Sequence, residues 1–228
     1  MGLRVFAVVP ARDEAAHLGA VLASMPMCVE RIVVVDDGSV DGTAEVARAC
    51  PRVQLISHPT SRGVGAALVS GYHAAFAAGA DVAVVFAGDG QMDAGDLPAL
   101  LRPLERGEAD YVKGTRLRRL DVLRRMPLTR LVGNVALTLL TRWSTGLPIT
   151  DAQCGYTALH RGALARIEID TLWPRYGYPN DLLARCARAG LRVSEVPVRA
   201  VYRGEKSGIR LRDALITVPW VILSRSRG

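Results

Sequence analysis

Two acidic turns, each leaving a hydrophobic run, hold the side chains most suited to chemistry. Val33-Val34-Val35 leads into Asp36-Asp37-Gly38-Ser39, and Val82-Ala83-Val84-Val85-Phe86 leads into Ala87-Gly88-Asp89-Gly90-Gln91. Paired carboxylates at Asp36 and Asp37 can accept a base N–H and ribose hydroxyls, the usual task of acids at such strand ends. Asp89 and Gln91 offer a carboxylate and an amide oxygen two residues apart, the hard donors that Mg2+ or Mn2+ takes. A divalent cation held there would bridge a diphosphate and stabilise it as a leaving group. Simpler duties compete, because Asp and Ser also cap helices and shape turns.

Other segments suit a phosphate-bearing ligand. Arg62 precedes Gly63-Val64-Gly65, but the spacing is not GxGxxG, does not follow the first strand and lacks a GK[ST]. A dinucleotide fingerprint and a Walker A loop are both disfavoured, and close packing is the expected use of these glycines. Arginines 116, 118, 119, 124, 125 and 130 crowd one stretch, either as a solvated face or as a diphosphate clamp beside the acidic turns. No aromatic residue lies between Arg116 and Arg130, which disfavours nucleic acid as a partner. Asp151 and Asp181 are the remaining carboxylates of interest. Asp181 sits where a helix should begin, so capping also explains it. Tyr202-Arg203-Gly204-Glu205-Lys206-Ser207-Gly208 brings two cations to a flexible turn fit for an anion. His17, His58, His73 and His160 are isolated from any nucleophile and read as structural or surface residues.

The elements that must position these groups alternate regularly through the first half. Strands are expected at Val5–Val9, Arg31–Asp36, Val53–Ser57, Asp81–Ala87 and Tyr111–Lys113. Between them fall helices from Glu14 to Met25, Asp41 to Cys50, Gly63 to Ala78 and Asp96 to Arg106. Strands alternating with helices predict an α/β domain whose central sheet is mostly parallel, with helices on both faces. The unbroken apolar strands agree, since both their faces must be covered. After Gly114 the rhythm loosens. An amphipathic helix is expected at 128–143, another at 180–189, and a late strand at 192–201.

At 228 residues, 50% apolar and 22% charged, the chain can bury a single sizeable core. Residues 1–228 read as one domain, regular over 1–115 and less regular over 116–228. The net charge of +7 is almost all arginine, with Lys113 and Lys206 the only lysines. Arginine forks suit phosphates, so anionic substrates and membrane surfaces fit. Cys28, Cys50, Cys154 and Cys186 have no metal or disulfide spacing, and reduced thiols in a cytoplasmic protein are expected. The longest apolar run near the end, 214–223, falls short of the roughly 20 residues that span a bilayer. The segment 209–223 is read either as an interfacial helix on a membrane or as a helix packed on the domain.

In order and spacing, these segments resemble the family-two inverting glycosyltransferases with the nucleotide-diphospho-sugar transferase (GT-A type) fold. The likeness is to the polyprenyl-phosphate mannosyl- and glucosyltransferase branch. It rests on Val9-Pro10-Ala11-Arg12-Asp13-Glu14, Asp36-Asp37-Gly38-Ser39 with Asp41 and Thr43, Gly63-Val64-Gly65 and Gly88-Asp89-Gly90-Gln91. It continues through Gly114-Thr115-Arg116, Asp151 to Tyr156, Asn180-Asp181 and Tyr202 to Ser207. The resemblance implies that Pro10, Ala11, Glu14 and Asp37 line the nucleoside pocket, and that Asp89 and Gln91 hold a divalent metal. It implies phosphate contacts for Arg116, Arg130, Arg203 and Lys206. Three positions depart from the family pattern: Asp13 stands for Asn, Ala87 for Asp, and Glu205-Lys206-Ser207 for Glu-Ser-Lys.

The expected reaction is inverting transfer of a sugar from a UDP- or GDP-sugar donor to a polyprenyl phosphate, and the resemblance implies a nucleotide-sugar half (1–115) and an acceptor half (116–228). Asp89, Arg116 and Asp181 are the catalytic candidates, with Arg62 and Asp36 on the nucleotide and Asp151 beside the acceptor. A hydroxyl acceptor is the alternative, with Asp181 as its base, and a non-catalytic sugar-nucleotide-binding protein is a second. The expected location is the cytoplasm, peripheral at the inner face of the membrane.

Overall fold

Valine-rich runs form the centre of one sheet because their unbroken apolar side chains can be buried on both faces at once. The computed structural model describes residues 2–119, 121–122, 126–199 and 212–225. The first half runs β1 (Val5–Ala11), α1 (Ala15–Ser24), β2 (Val29–Asp36), α2 (Thr43–Arg48), β3 (Val53–Ser57), α3 (Val64–Ala77), β4 (Val82–Val85) and α4 (Leu97–Glu105). The second half runs β5 (Tyr111–Thr115), α5 (Leu128–Thr145), β6 (Thr157–His160), α6 (Arg161–Leu164), α7 (Tyr178–Arg188), β7 (Val193–Pro197) and α8 (Val218–Arg225).

These strands make one seven-stranded sheet in the order β3-β2-β1-β4-β6-β5-β7. All neighbours pair parallel except β6, which runs antiparallel between β4 and β5. The sequence pattern did not anticipate β6: four residues, Thr157 to His160, are too few to show a period. The late strand also stops at Pro197, short of the expected Val201. Residues 200–211 lie outside the described part, and with them Arg203 and Lys206.

Alternate residues of β1 feed two cores. Val5, Ala7 and Val9 pack with Leu18, Leu22, Leu97 and Leu101 on one face. Phe6 and Val8 pack with Leu68, Tyr72 and Phe76 of α3 on the other. Gly71 lets α3 approach the sheet, since a Cβ there would lie 2.3 Å from Val8 Cγ1. Register then fixes the site. Ala11, Asp36 and Ser57 stand level across β1, β2 and β3. Both acidic turns therefore emerge at the carboxyl edge, where the strand order reverses beside β1, the usual ligand crevice of such sheets.

Gly71→Ala is expected to lower stability by about 1–3 kcal/mol, because the methyl must displace Val8. Gly133→Ala, on α5 with nothing within 4 Å of the new methyl, should instead raise it by up to about 1 kcal/mol. Urea midpoints at unchanged slope test the pair, and equal shifts for both would contradict the packing described.

Candidate active site

Asp37 is almost fully buried, and every part of its carboxylate is engaged by protein. Oδ1 accepts from His58 Nδ1 at 2.7 Å and the Arg62 amide at 2.9 Å. Oδ2 accepts from Ser61 Oγ at 2.8 Å and the Gly63 amide at 2.8 Å. Burial pushes this pKa up, but the His58, Arg62, Ser61 and Gly63 donors outweigh it and hold the group below its usual value. The carboxylate of Asp37, expected at the nucleoside, here binds the loop that follows β3. Asp36 is different. Its Oδ1 takes the Ser39 amide at 3.0 Å, and Oδ2 takes no hydrogen bond from another described residue.

The loop after β1 is stitched to the loop after β2. Asp13, with φ of 54°, accepts the Val40 amide at 2.9 Å and donates its own amide to Ser39 Oγ. Asp41 Oδ2 accepts the Ala15 amide and Oδ1 the Thr43 amide and hydroxyl, so one carboxylate serves the starts of α1 and α2. This holds Pro10, Ala11 and Glu14 beside Asp36.

The second turn closes on the same edge. Asp89 Oδ1 accepts the Gln91 amide at 3.0 Å. A Cβ on Gly88 would lie 3.2 Å from that of Ala11, so the turn rests on the end of β1. Glu14 is held above the usual carboxylate range by burial first and then by the Asp89 charge. Two carboxylates from different loops thus repel each other here. Among the described residues no group of three His, Cys, Asp or Glu side chains could hold a metal alone. The donor set nevertheless fits a hard cation: one carboxylate, one amide oxygen and a neighbouring negative charge, with ligand oxygens left to complete the shell.

Arg116 and Asp151 meet one another. Arg116 Nε and Nη2 fork onto Asp151 at 2.7 and 3.0 Å, and the Arg116 amide adds a third bond at 3.0 Å. Asn134 Nδ2 adds a fourth at 2.9 Å. Burial alone would raise the Asp151 pKa, but the Arg116 charge and these bonds hold it down at about 2. Asp151, expected beside the acceptor, is placed as a buried anchor of Arg116, and no part of it reaches solvent. Glu195 accepts the Thr150 and Asp151 amides at 2.7 and 3.1 Å, fixing the same loop from β7. Sequence reasoning passed over Asn134 and Glu195. The signal available for Asn134 was the polar spacing Asn134, Thr138, Thr141 within a helix.

Helix α5 is built inside out. Asn134, Thr138 and Thr141 are its buried residues, and they hold Asp151, the Ala152 amide and Asn180. Its outward residues include Leu128, Val132, Leu139 and Trp143, the last 68% exposed. Next to it, α8 buries Val218, Val221 and Ile222 but exposes Trp220 and Leu223, and Leu215 and Ile216 just before it are exposed as well. In the described part of the C-terminal segment, one side packs on the domain, as the second reading expected, and the other is apolar and exposed. Arg130 lies in the first turn of α5, near this surface.

Asp181, the candidate base, lies inside the fold. It has no exposed surface, Oδ2 accepts the Trp173 amide at 2.7 Å, and Oδ1 faces buried Arg185 Nε at 3.3 Å.

A model of the Glycosyl transferase family 2 matches residues 6–167. An undecaprenyl-phosphate mannosyltransferase of Micrococcus luteus is 32% identical over 238 residues, covering 99% of this chain and 97% of its own. A UDP-N-acetylglucosamine–dolichyl-phosphate N-acetylglucosaminyltransferase of Methanococcus voltae is 28% identical, covering 87% and 86%. The crystal structure of glucosyl-3-phosphoglycerate synthase from Mycobacterium tuberculosis with Mn2+, UDP-glucose and phosphoglyceric acid superposes with a TM-score of 0.76. It is 25% identical and covers 99% of this chain and 80% of that one.

Asp151→Asn should leave Arg116 without its counter-charge and cost about 3 kcal/mol at neutral pH. Because the folded pKa is depressed, the carboxylate's contribution is present above about pH 4 and is lost as pH falls through its folded value. The stability gap between wild type and variant, read by urea unfolding, should therefore close between about pH 4 and about pH 2. A gap constant across that range would contradict the pairing.

Proposed function

The chain belongs to glycosyl transferase family 2, and from that premise we propose that it transfers a sugar from a UDP- or GDP-sugar to a polyprenyl phosphate, with inversion at the anomeric carbon. One observation carries the lipid acceptor: α5 holds the acceptor-side loop with its polar inner face and turns an apolar face outward. Buried Asp181 supports the same choice. A hydroxyl acceptor needs a base, whereas a phosphate oxygen is already ionised and attacks without giving up a proton. That oxygen bonds to the anomeric carbon as the bond to the nucleotide diphosphate breaks.

Pro10, Ala11, Glu14 and Asp36 line the nucleoside side in this reading. Asp37 shapes the wall by holding Ser61 to Gly63, from which Arg62 reaches the diphosphate. Asp89 and Gln91 would hold Mg2+ or Mn2+, which supplies positive charge to the departing diphosphate. Arg116, oriented by Asp151, adds a fixed positive charge. Arg130, Arg203 and Lys206 serve the acceptor phosphate. The protein works peripherally at the cytoplasmic face of the membrane, with the outer sides of α5 and α8 in the headgroup region. Among the described residues no helix is long and apolar enough to cross a bilayer.

Purified protein given UDP- and GDP-sugars with polyprenyl phosphate should transfer labelled sugar to the lipid, and Asp89→Asn should slow this by about 100-fold. Nucleotide binding without transfer would instead favour a sugar-nucleotide-binding protein, and transfer only to a free hydroxyl would overturn the lipid acceptor. Separately, Leu139→Glu with Trp143→Glu should weaken binding to phosphatidylglycerol-containing vesicles at least about tenfold in flotation. Unchanged flotation would remove this face from the membrane, and loss of a dimer instead would assign it to a second copy of the chain.

A further inference from the structure

The N-terminal amides of α3, which in a phosphate-binding helix would point at the ligand, are consumed by protein from two directions. Arg62 and Gly63 donate to Asp37. On the other side, Gly65 and Ala66 donate to the Pro174 carbonyl at 2.8 and 3.3 Å. This contact needs glycine: a Cβ on Gly65 would lie 2.1 Å from the Trp173 oxygen, and one on Gly63 2.4 Å from the Pro174 oxygen. The segment Trp173-Pro174 thus lies against the backbone that opens α3.

Two buried charges of α7 hold that segment. Asp181 accepts the Trp173 amide at 2.7 Å. Arg185 donates to the Ile167, Glu168 and Thr171 carbonyls at 3.1, 2.6 and 2.6 Å, fixing the turn that leads into it. The two side chains face each other at 3.3 Å, without the alignment of a hydrogen bond between Asp181 Oδ1 and Arg185 Nε. A buried ion pair adds little net stability over apolar side chains of equal volume, because both charges lose their hydration. Its use here is to hold backbone groups in one place.

We infer that Asp181 and Arg185 are positioning residues for the nucleotide loop, acting through Trp173-Pro174 on the first turn of α3. The donor loop Ser61 to Gly63 is then set by two carboxylates, Asp37 from the nucleotide half and Asp181 from the acceptor half. The inference rests on the proposed nucleotide site, because it needs Arg62 and its neighbours to face the donor. Trp173 also meets Trp220 of α8 edge-on, with ring centroids 5.5 Å apart, so the segment touches the helix assigned to the membrane face.

Asp181→Asn loosens this chain at one end, and Gly65→Ala pushes it away at the other. Titration of UDP and GDP, below each variant's unfolding temperature, should show each substitution raising Kd and donor KM about tenfold, with acceptor KM within about twofold. Because both act on one contact, the double variant should be no worse than about the weaker-binding single one. If Asp181→Asn does not fold, Gly65→Ala alone decides, joined by Arg185→Lys, which keeps the charge but loses the fork. Nucleotide affinity within twofold of wild type in the folded variants, or multiplied losses in the double variant, would overturn the inference. A wild-type protein that binds neither nucleotide would instead sink the proposed site itself.

Discussion

A carboxylate removed from water must be given donors by the protein, and Asp37 is given four. Much of the first half of the chain follows from that requirement. The donors come from His58 at the end of β3 and from the loop entering α3, so satisfying one side chain ties β2 to β3 and α3. His58 is turned by the same bond, and its Nε2 lies 3.0 Å from Ser70 Oγ of α3. A carboxylate only accepts, so Nδ1 carries the proton in that pair. The loop from Ser61 to Gly63 is therefore held by bonds internal to the fold.

The second half of the chain repeats the device with different partners. Asp151 is buried, and Arg116, Asn134 and the Arg116 amide satisfy it while Glu195 fixes its backbone. The cost of burying these charges is offset only when all of their bonds are made. That condition explains why α5 turns Asn134, Thr138 and Thr141 inward. With these three polar residues spent on the interior, Leu128, Val132, Leu139 and Trp143 are left on the outside beside Thr129 and Arg142. The inside-out pattern is thus a consequence of how the Thr150-Asp151 loop is held.

The βαβ rhythm was legible because long apolar strands and helices of ten or so residues carry strong periods. The site was legible only as residue types. Asp36 and Asp37 are adjacent and chemically identical, yet one keeps an oxygen clear of other described residues while the other is fully engaged. Nothing in the order of residues tells which lone pairs are spent, since His58 and Ser61 reach Asp37 only through tertiary packing. Asp181 shows the same gap. Its place in the first turn of a helix was readable, but its burial against Arg185 depends on how the 167–174 segment folds back. Strand β6 was missed for a simpler reason: its pairing with β4 and β5 is entirely non-local.

The turn after β4 shows how a lost side chain can be read against its surroundings. Ala87 leaves Asp89 as the sole carboxylate between Phe86 and Gln91. Its amide instead lies 3.2 Å from Met92 Sδ, an apolar and weakly accepting partner. The negative charge at this edge is nevertheless not reduced to one group. Glu14 enters from the loop after β1, and burial first and then the Asp89 charge hold it above its usual range. A hard cation responds to the sum of nearby oxygen charges, whichever strand supplies them. The electrostatic character of the site is consequently set by two loops meeting at the end of β1, and sequence position within one turn is a poor measure of it.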